Sequence, residues 1–435
     1  LSVAPGAGPL RVGLAGLGTV GARVAQLLVE RADLLAERAQ RPIVLTAISA
    51  RDKTRARGLD LSHLPWCQDP VELARRADVD VVVELIGGAE GPARALVSEA
   101  LSRGKHVVTA NKALIAHHGK ALAGAAEAKG LAFNYEAAVA GGIPVIKTLR
   151  EALFVNRVTR LYGILNGTCN FILTQMSRTA APFADVLKEA QALGYAEADP
   201  AFDIEGTDAA HKLAILASLA FGTEIDFAAV HCEGITRITP FDIEAARELG
   251  YAVKLLAIAE DTGQGVRCHV HPSMVPLATP IAGVEGAFNA LVIEADPLGK
   301  LVLEGPGAGA GPTASAVLSD LADIARGVSL PAFLRPAARL SKGAPAPFAE
   351  REGSFYLRFT VLDRPGVMAE IARILAAGSI SIESIIQRGR DPGAPVKIVM
   401  VTHETREAAM ARALHEIARA NQIAERPCMI RIEAF

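Results

Sequence analysis

A chain of 435 residues, about half of them apolar, can bury sizeable cores and should divide into two or three domains. Its 45 Lys and Arg nearly balance 47 Asp and Glu, so no strong field draws it to nucleic acid or to an anionic membrane. Five scattered cysteines without a C-x-x-C pair argue against a disulfide framework and a thiolate zinc site, and fit a reducing, cytoplasmic setting. The opening "LSVAPGAGPL" lacks a basic and then a long apolar region, and no later stretch of 18 residues is purely apolar, so neither an export signal nor a membrane span is expected.

From Leu10 the pattern is strand, turn, helix, strand: "LRVGLAGLGTVG", a helical stretch to about Glu37, then "PIVLTAIS". Short apolar runs follow at "VDVVVELIG" (79–87), "KHVVTAN" (105–111) and "LAFNYEA" (131–137), separated by Ala-rich helical segments. This alternation predicts an α/β, Rossmann-like, doubly wound parallel sheet over residues 1–140. Gly16, Gly18 and Gly21 form G-x-G-x-x-G between a strand and a helix, with Leu17, Thr19 and Val20 supplying the rest of the turn. The glycines allow a tight turn and close backbone approach, and the helix N-terminus offers N–H groups to a pyrophosphate, so a dinucleotide is expected here.

The second strand runs into "SARDK", where Arg51 and Lys53 outnumber Asp52. An acidic residue there would favour NAD; the basic excess favours the 2′-phosphate of NADP, although a solvated charge cluster would give the same pattern. In "TANKAL", Lys112 follows the end of a strand, where doubly wound sheets place their ligand crevice. Lysines at strand ends are also often merely solvated.

After residue 140 the texture changes. "RVTRLYGIL", "HPSMVP" and "FNALVIEA" read as strands among helices, a mixed α/β region over 141–311 expected to carry catalysis and dimerisation. "NGT" at 166–168 reads as a tight turn whose Gly167 backbone and Thr168 hydroxyl line a site. "DIEGTDAAHKLAIL" (203–216) opens a helix that Thr207 is placed to cap, and puts Asp208, Lys212, Ile215, Leu216 and Leu219 on one face. An i,i+4 ion pair would account for Asp208 and Lys212. The apolar company of Lys212 instead suggests a partly desolvated amine suited to proton transfer. The carboxylates upstream, Glu197, Asp199, Asp203 and Glu205, suit a surface loop or a site for a substrate ammonium group. His117 with His118, and His269 with His271, read as surface or strand residues rather than metal ligands.

Near 305 a glycine-rich loop containing Gly307, taken as a further cofactor contact, leads to a helix over 312–335 expected to complete the first domain. "SKGAPAPFAERE" (341–352) reads as an exposed linker. Beyond it, residues 353–435 give the order β-α-β-β-α-β, a ferredoxin-like plan.

Taken in order, "LRVGLAGLGTVG", "HVVTANKALIA", "YEAAVAGGIPVI", "GILNGTCNFILTQM", "GYAEADPAFDIEGTDAAHKLAIL" and "GPGAGAGPTASAVLSD" resemble the homoserine dehydrogenase family over roughly residues 10–330. The resemblance implies reversible oxidation of L-homoserine to L-aspartate 4-semialdehyde with NADP or NAD, a step toward threonine, methionine and isoleucine. It implies that Lys112 and Lys212 flank the reacting oxygen, that Glu197 and Asp208 hold the substrate or its lysine, and that Gly167, Thr168, Tyr195 and Asp203 line the pocket. It further implies sodium or another monovalent cation on backbone carbonyls around Glu136, Val139, Gly141 and Ile143. A homo-oligomer, dimer or tetramer, is expected. "VLDRPGVMAEIARIL" and "SISIESIIQRG" resemble an ACT domain, implying L-threonine as a feedback effector and a segment whose removal, from residue 345 on, leaves activity.

Two other readings compete. An aspartate-semialdehyde dehydrogenase of the same plan needs a nucleophilic cysteine, and only Cys169 is near a candidate site. A non-catalytic dinucleotide and amino-acid sensor would use the same folds, but has no need of two lysines at a hydride-transfer centre.

Overall fold

The computed structural model describes residues 8–387 and 395–435. Residues 1–7, read above for an export signal, and Arg388 and Gly389, at the end of "SISIESIIQRG", lie outside the described residues.

Strands β1 (Leu10–Ala15), β2 (Ile43–Ser49), β3 (Trp66–Cys67), β4 (Val81–Glu84), β5 (His106–Thr109) and β6 (Phe133–Asn134) make a parallel sheet in the order β3-β2-β1-β4-β5-β6. All four residues of β4 are buried, as expected when helices cover both faces. Helix α1 (Thr19–Glu30) follows the glycine turn and α2 (Lys112–Glu127) follows β5. The helical stretch expected to Glu37 breaks at Arg31, and a separate helix runs Ala32–Ala39.

Two of the turn's glycines are required by the packing. Gly16 has φ +95°, and a Cβ there would lie 2.5 Å from the Leu85 carbonyl oxygen. A Cβ on Gly21 would lie 1.8 Å from the Gly16 carbonyl oxygen, so α1 can sit this close to β1 only without side chains.

The second region contains β7 (Arg157–Ile164), α3 (Gly167–Thr179), α4 (Thr207–Phe221), β8 (His231–Cys232), β9 (Tyr251–Asp261), β10 (Val266–Pro276), β11 (Phe288–Asp296) and β12 (Gly299–Pro306). Helix α5 (Ala310–Ala325) then returns to the parallel sheet, where Ala314, Val317 and Leu321 share a core with Leu14, Val24 and Leu28. It starts and ends earlier than the expected 312–335. Helix α4 begins at Thr207, as its spacing suggests, but no side chain caps it; Gly206 occupies the cap position at φ +86°.

The C-terminal segment runs β13 (Glu352–Leu362), α6 (Val367–Ala377), β14 (Ile382–Gln387), β15 (Pro395–Thr402), β16 (Thr405–Arg406), α7 (Glu407–Ile417) and β17 (Cys428–Ile432). It is not a separate appendage. Strand β17 pairs with β13 on one side and with β10 on the other, giving one continuous path β12-β11-β7-β9-β10-β17-β13-β15-β14. Phe435 stacks on Tyr162 with ring centroids 3.7 Å apart, and Arg358 and Tyr356 both bond the buried Asp242. Cutting the chain at residue 345 would therefore strip a strand pairing and uncover buried ion pairs, contrary to the removable segment expected from sequence.

The expected linker is docked as well. Ser341 and Pro345 bridge to Thr223 and Val266, Phe348 stacks on His231 at 3.8 Å, and Arg351 is buried against Glu433. Alternating Pro and Ala excluded regular structure there, yet said nothing of the isolated backbone bonds that hold the segment down.

Candidate active site

The crevice lies at the carboxyl ends of the neighbouring strands β1 and β4, where the strand order reverses, the switch point of the parallel sheet. Glu84, at the end of β4, accepts the Ile86 and Gly87 N–H groups at 2.7 and 3.0 Å and the Thr109 hydroxyl at 2.6 Å. Thr109 in turn accepts the Asn111 N–H at 3.0 Å, and the Asn111 side chain caps α2 by accepting the Leu114 N–H at 3.1 Å. This buried polar network fixes the first residue of α2, which is Lys112.

From the other side α4 delivers Asp208 and Lys212 one turn apart. Lys212 Nζ donates to Asp208 Oδ2 and to the Leu165 carbonyl, both at 2.7 Å. Lys112 Nζ reaches the other carboxylate oxygen of Asp208 at 2.8 Å. Two ammonium groups from two domains thus share one aspartate, whose side chain is 5% exposed.

Asn166 caps α3, accepting the Cys169 N–H at 2.8 Å, while its amide donates to Asp208 and to Asp203, each at 2.8 Å. Thr168 donates to the Tyr195 carbonyl at 2.7 Å and also lies 3.2 Å from Asp203. Gly167 is forced by close approach, since a Cβ would lie 2.6 Å from the Ala287 carbonyl oxygen. Tyr195 packs its ring on Phe171, with centroids 4.6 Å apart. The expected Lys112, Lys212, Asp208, Asp203, Thr168, Gly167 and Tyr195 are therefore brought together. Glu197 is not: it sits on the exposed loop before Asp199, where its carbonyl accepts from the Gln191 amide at 3.0 Å.

Burial opposes ionisation of Asp208, but Lys212 and Lys112 outweigh it and hold the carboxylate well below the usual range. Asp203 moves the other way, pushed up by burial and by the neighbouring charge of Asp208 against the bonds from Asn166 and Thr168. Cys169 is buried and its thiol donates to the Asp203 carbonyl at 3.2 Å. Burial pushes that thiol well above its ordinary value, and the Asp203 charge adds to this, so it is no nucleophile at neutral pH.

The glycine turn fits a pyrophosphate. No side chain caps α1, so its first N–H groups keep no internal acceptor, and a Cβ on Gly18 would meet nothing within 4 Å. Beside it, Asp52 turns onto Thr54, accepting its N–H at 2.8 Å and its hydroxyl at 2.7 Å. Arg51 and Lys53 stay exposed. Arg57, overlooked in the sequence although it belongs to the basic run "RDKTRAR", reaches back to the Leu17 carbonyl at 3.3 Å with its guanidinium 5.4 Å from the Trp66 ring. Phe202 was also overlooked: its ring lies 5.5 Å from the Lys112 ammonium and 5.5 Å from His211.

The loop of Glu136, Val139, Gly141 and Ile143 abuts the Gly307 turn, where a Cβ on Gly141 would lie 2.5 Å from the Gly307 carbonyl oxygen. The Glu136 carboxylate accepts the Ile146 and Lys147 N–H groups at 2.9 and 2.7 Å. Among the described residues no group of three or more His, Cys, Asp or Glu side chains could hold a metal, and no helix is long and apolar enough to cross a membrane. His269 and His271 are buried on β10, stacked 4.8 Å apart.

Parallel sheets of this order bind dinucleotides at the switch point, and paired ammonium groups at its mouth suit an oxygen that gains or loses charge. The class so defined is a nicotinamide dinucleotide-dependent dehydrogenase. Residues 16–136 match the model for "Homoserine dehydrogenase, NAD binding domain", residues 144–322 that for "Homoserine dehydrogenase", and residues 355–420 that for "ACT domain". The homoserine dehydrogenase of Neisseria gonorrhoeae is 44% identical over 433 residues, covering 98% of this chain and 99% of its own. That of Pseudomonas aeruginosa is 43% identical over 432 residues. A crystal structure of a homoserine dehydrogenase from Thiobacillus denitrificans superposes with TM-score 0.91 at 45% identity over 98% of both chains. A hyperthermophilic archaeal homoserine dehydrogenase in complex with NADPH has TM-score 0.63 at 26% identity, over 72% of this chain and 97% of that one. The chain belongs to the homoserine dehydrogenase family, an oxidoreductase with a nicotinamide dinucleotide cofactor and a C-terminal ACT domain.

Proposed function

We propose that the Lys112, Lys212 and Asp208 cluster carries out the reversible oxidation of L-homoserine to L-aspartate 4-semialdehyde, with NADP preferred. The observation that carries this reading is the convergence of two lysines, one from each domain, on one buried carboxylate at the crevice mouth. NADP, when bound, supplies the hydride acceptor. As the alcohol carbon gives up its hydride, the hydroxyl must shed its proton, and a developing alkoxide gains most from cations already in place. Lys212, anchored to Leu165 and Asp208, acts as the base once its ammonium has passed a proton to water: the neutral amine takes the hydroxyl proton and returns to the ammonium form, while Lys112 stabilises the oxygen from the cofactor side. Asp208 holds both ammonium groups in register. Asp203, oriented by Asn166 and Thr168, receives the substrate's α-ammonium, and Gly167 and Tyr195 close the pocket.

For the cofactor, Asp52 is occupied by Thr54, which leaves Arg51 and Lys53 to meet a 2′-phosphate. Homoserine-dependent dinucleotide reduction followed by absorbance tests both points. NADP should outperform NAD, and Arg51→Ala should raise KM for NADP more than for NAD; equal rises would refute the phosphate contact. The ACT domain supports regulation by an amino acid, L-threonine being the effector we propose, and initial rates at rising L-threonine check it. A sodium or similar ion on the carbonyls of the Glu136–Ile143 loop is checked by exchanging sodium for tetramethylammonium, which should lower turnover. A cytoplasmic homo-oligomer completes the reading, and sedimentation reports its order.

A further inference from the structure

The guanidinium of Arg431, on β17, is buried in the seam between the C-terminal and catalytic regions. It forms a fork on Glu233, with Nη1 to Oε2 at 2.9 Å and Nη2 to Oε1 at 2.7 Å, and pairs on its other side with Glu407 of α7, Nε to Oε2 at 3.0 Å. Glu233 follows β8 directly and is fixed to β10 by its own N–H to the Val270 carbonyl at 2.8 Å. His231 Nε2 also lies 2.7 Å from Glu233 Oε1.

The segment bearing Glu233 presses on the start of α4. The Ile235 N–H donates to the Ile204 carbonyl at 2.9 Å, and Cys232 Sγ to the Glu205 carbonyl at 3.3 Å. A Cβ on Gly234 would lie 2.1 Å from the Ile204 carbonyl oxygen, and one on Gly206 would lie 3.0 Å from Cys232 Sγ and 3.4 Å from the Glu233 carbonyl oxygen. At Gly234 backbone therefore touches backbone, and at Gly206 the small Cys232 side chain fills the remaining gap, so little is left to absorb a shift. Residues 204–207 join Asp203, which faces the proposed ammonium site, to Asp208, which holds the two lysines.

We propose that Glu233 and Arg431 are positioning residues for the amino-acid site, setting the spacing of Asp203 and Asp208 by clamping the segment 232–235 against the turn 204–206. The ACT domain is thereby wired to the substrate side of the site and not to the dinucleotide side, since the glycine turn and the Arg51 region touch none of these groups. A displacement of about 1 Å at such a contact suffices to spoil substrate alignment. The inference rests on the active-site reading given above.

The test uses the full-length enzyme. Glu233→Gln keeps the shape but removes the charge that anchors the fork, and should raise KM for homoserine roughly tenfold while moving KM for the dinucleotide less than about twofold. Glu233→Asp should recover part of the loss. Arg431→Lys, which keeps a cation but loses the fork, should give the same split to a smaller degree, and it serves where Glu233→Gln does not fold. An unchanged homoserine KM in folded variants, or equal changes in both KM values, overturns the proposal. Asp208→Asn separates the two levels: if it leaves turnover intact, the active-site reading fails; if it abolishes turnover while Glu233→Gln is silent, only the clamp fails.

Discussion

Asp208 and Asp320 are both aspartates on helices and both buried, at 3% and 1% exposure, and they differ in what stands beside them. Asp208 meets two lysine ammonium groups and an asparagine amide, and stays ionised. Asp320 meets the backbone N–H of Glu136 at 2.9 Å and the charge of Glu136 itself. Burial and that mutual repulsion push Asp320 up to about 7, and burial likewise lifts Glu136 to about 7, with Lys147 and Arg150 offsetting only part. Equal burial thus yields a permanent anion where cations converge and a proton store where they do not. The first arrangement suits binding and proton transfer, while the second ties α5 to the Glu136 loop.

The largest effect that would break this comparison is expected at Asp208. Asp208→Asn removes the anion between two ammonium groups, and turnover with homoserine should fall on the order of a thousandfold; a loss of only a few-fold would mean the lysines do not need it. Next comes the opposite pH dependence of the two regions. The folded value of Asp208 lies below its unfolded one, so its stabilisation is present above about pH 4 and is lost as pH falls further. For Asp320 and Glu136 the folded values lie above the unfolded ones, so stability is full below about pH 4 and declines as pH rises toward 7. Asp320→Asn should flatten that decline, on the order of a few kcal/mol in denaturant titrations between pH 4 and 8, and should leave turnover close to wild type. An unaltered slope would show that the pair does not store a proton.

The sequence disclosed what local chemistry dictates. The glycine turn is legible because a strand-to-helix crossing this close tolerates no Cβ at Gly21, and the parallel, doubly wound sheet follows from alternating strands and helices, although its strand order does not. Lys212 is legible as an amine on an apolar helix face. Its partner Lys112 lies a hundred residues away, and nothing in the spacing tells that both reach one carboxylate. Phe202 and Arg57 escaped because an aromatic and a basic residue in polar stretches look solvated until the fold brings Lys112 and Leu17 to them. The docked 341–352 segment and the shared sheet escaped for a related reason: pairing between β10 and β17 joins strands more than 150 residues apart and leaves no periodic mark.

The central claim is most directly tested by Lys212→Ala, with homoserine turnover and dinucleotide binding measured on the same folded protein. Turnover should fall at least a hundredfold while the dinucleotide dissociation constant stays within about twofold, because Lys212 faces the reacting oxygen and not the glycine turn. Turnover within a few-fold of wild type would contradict the account.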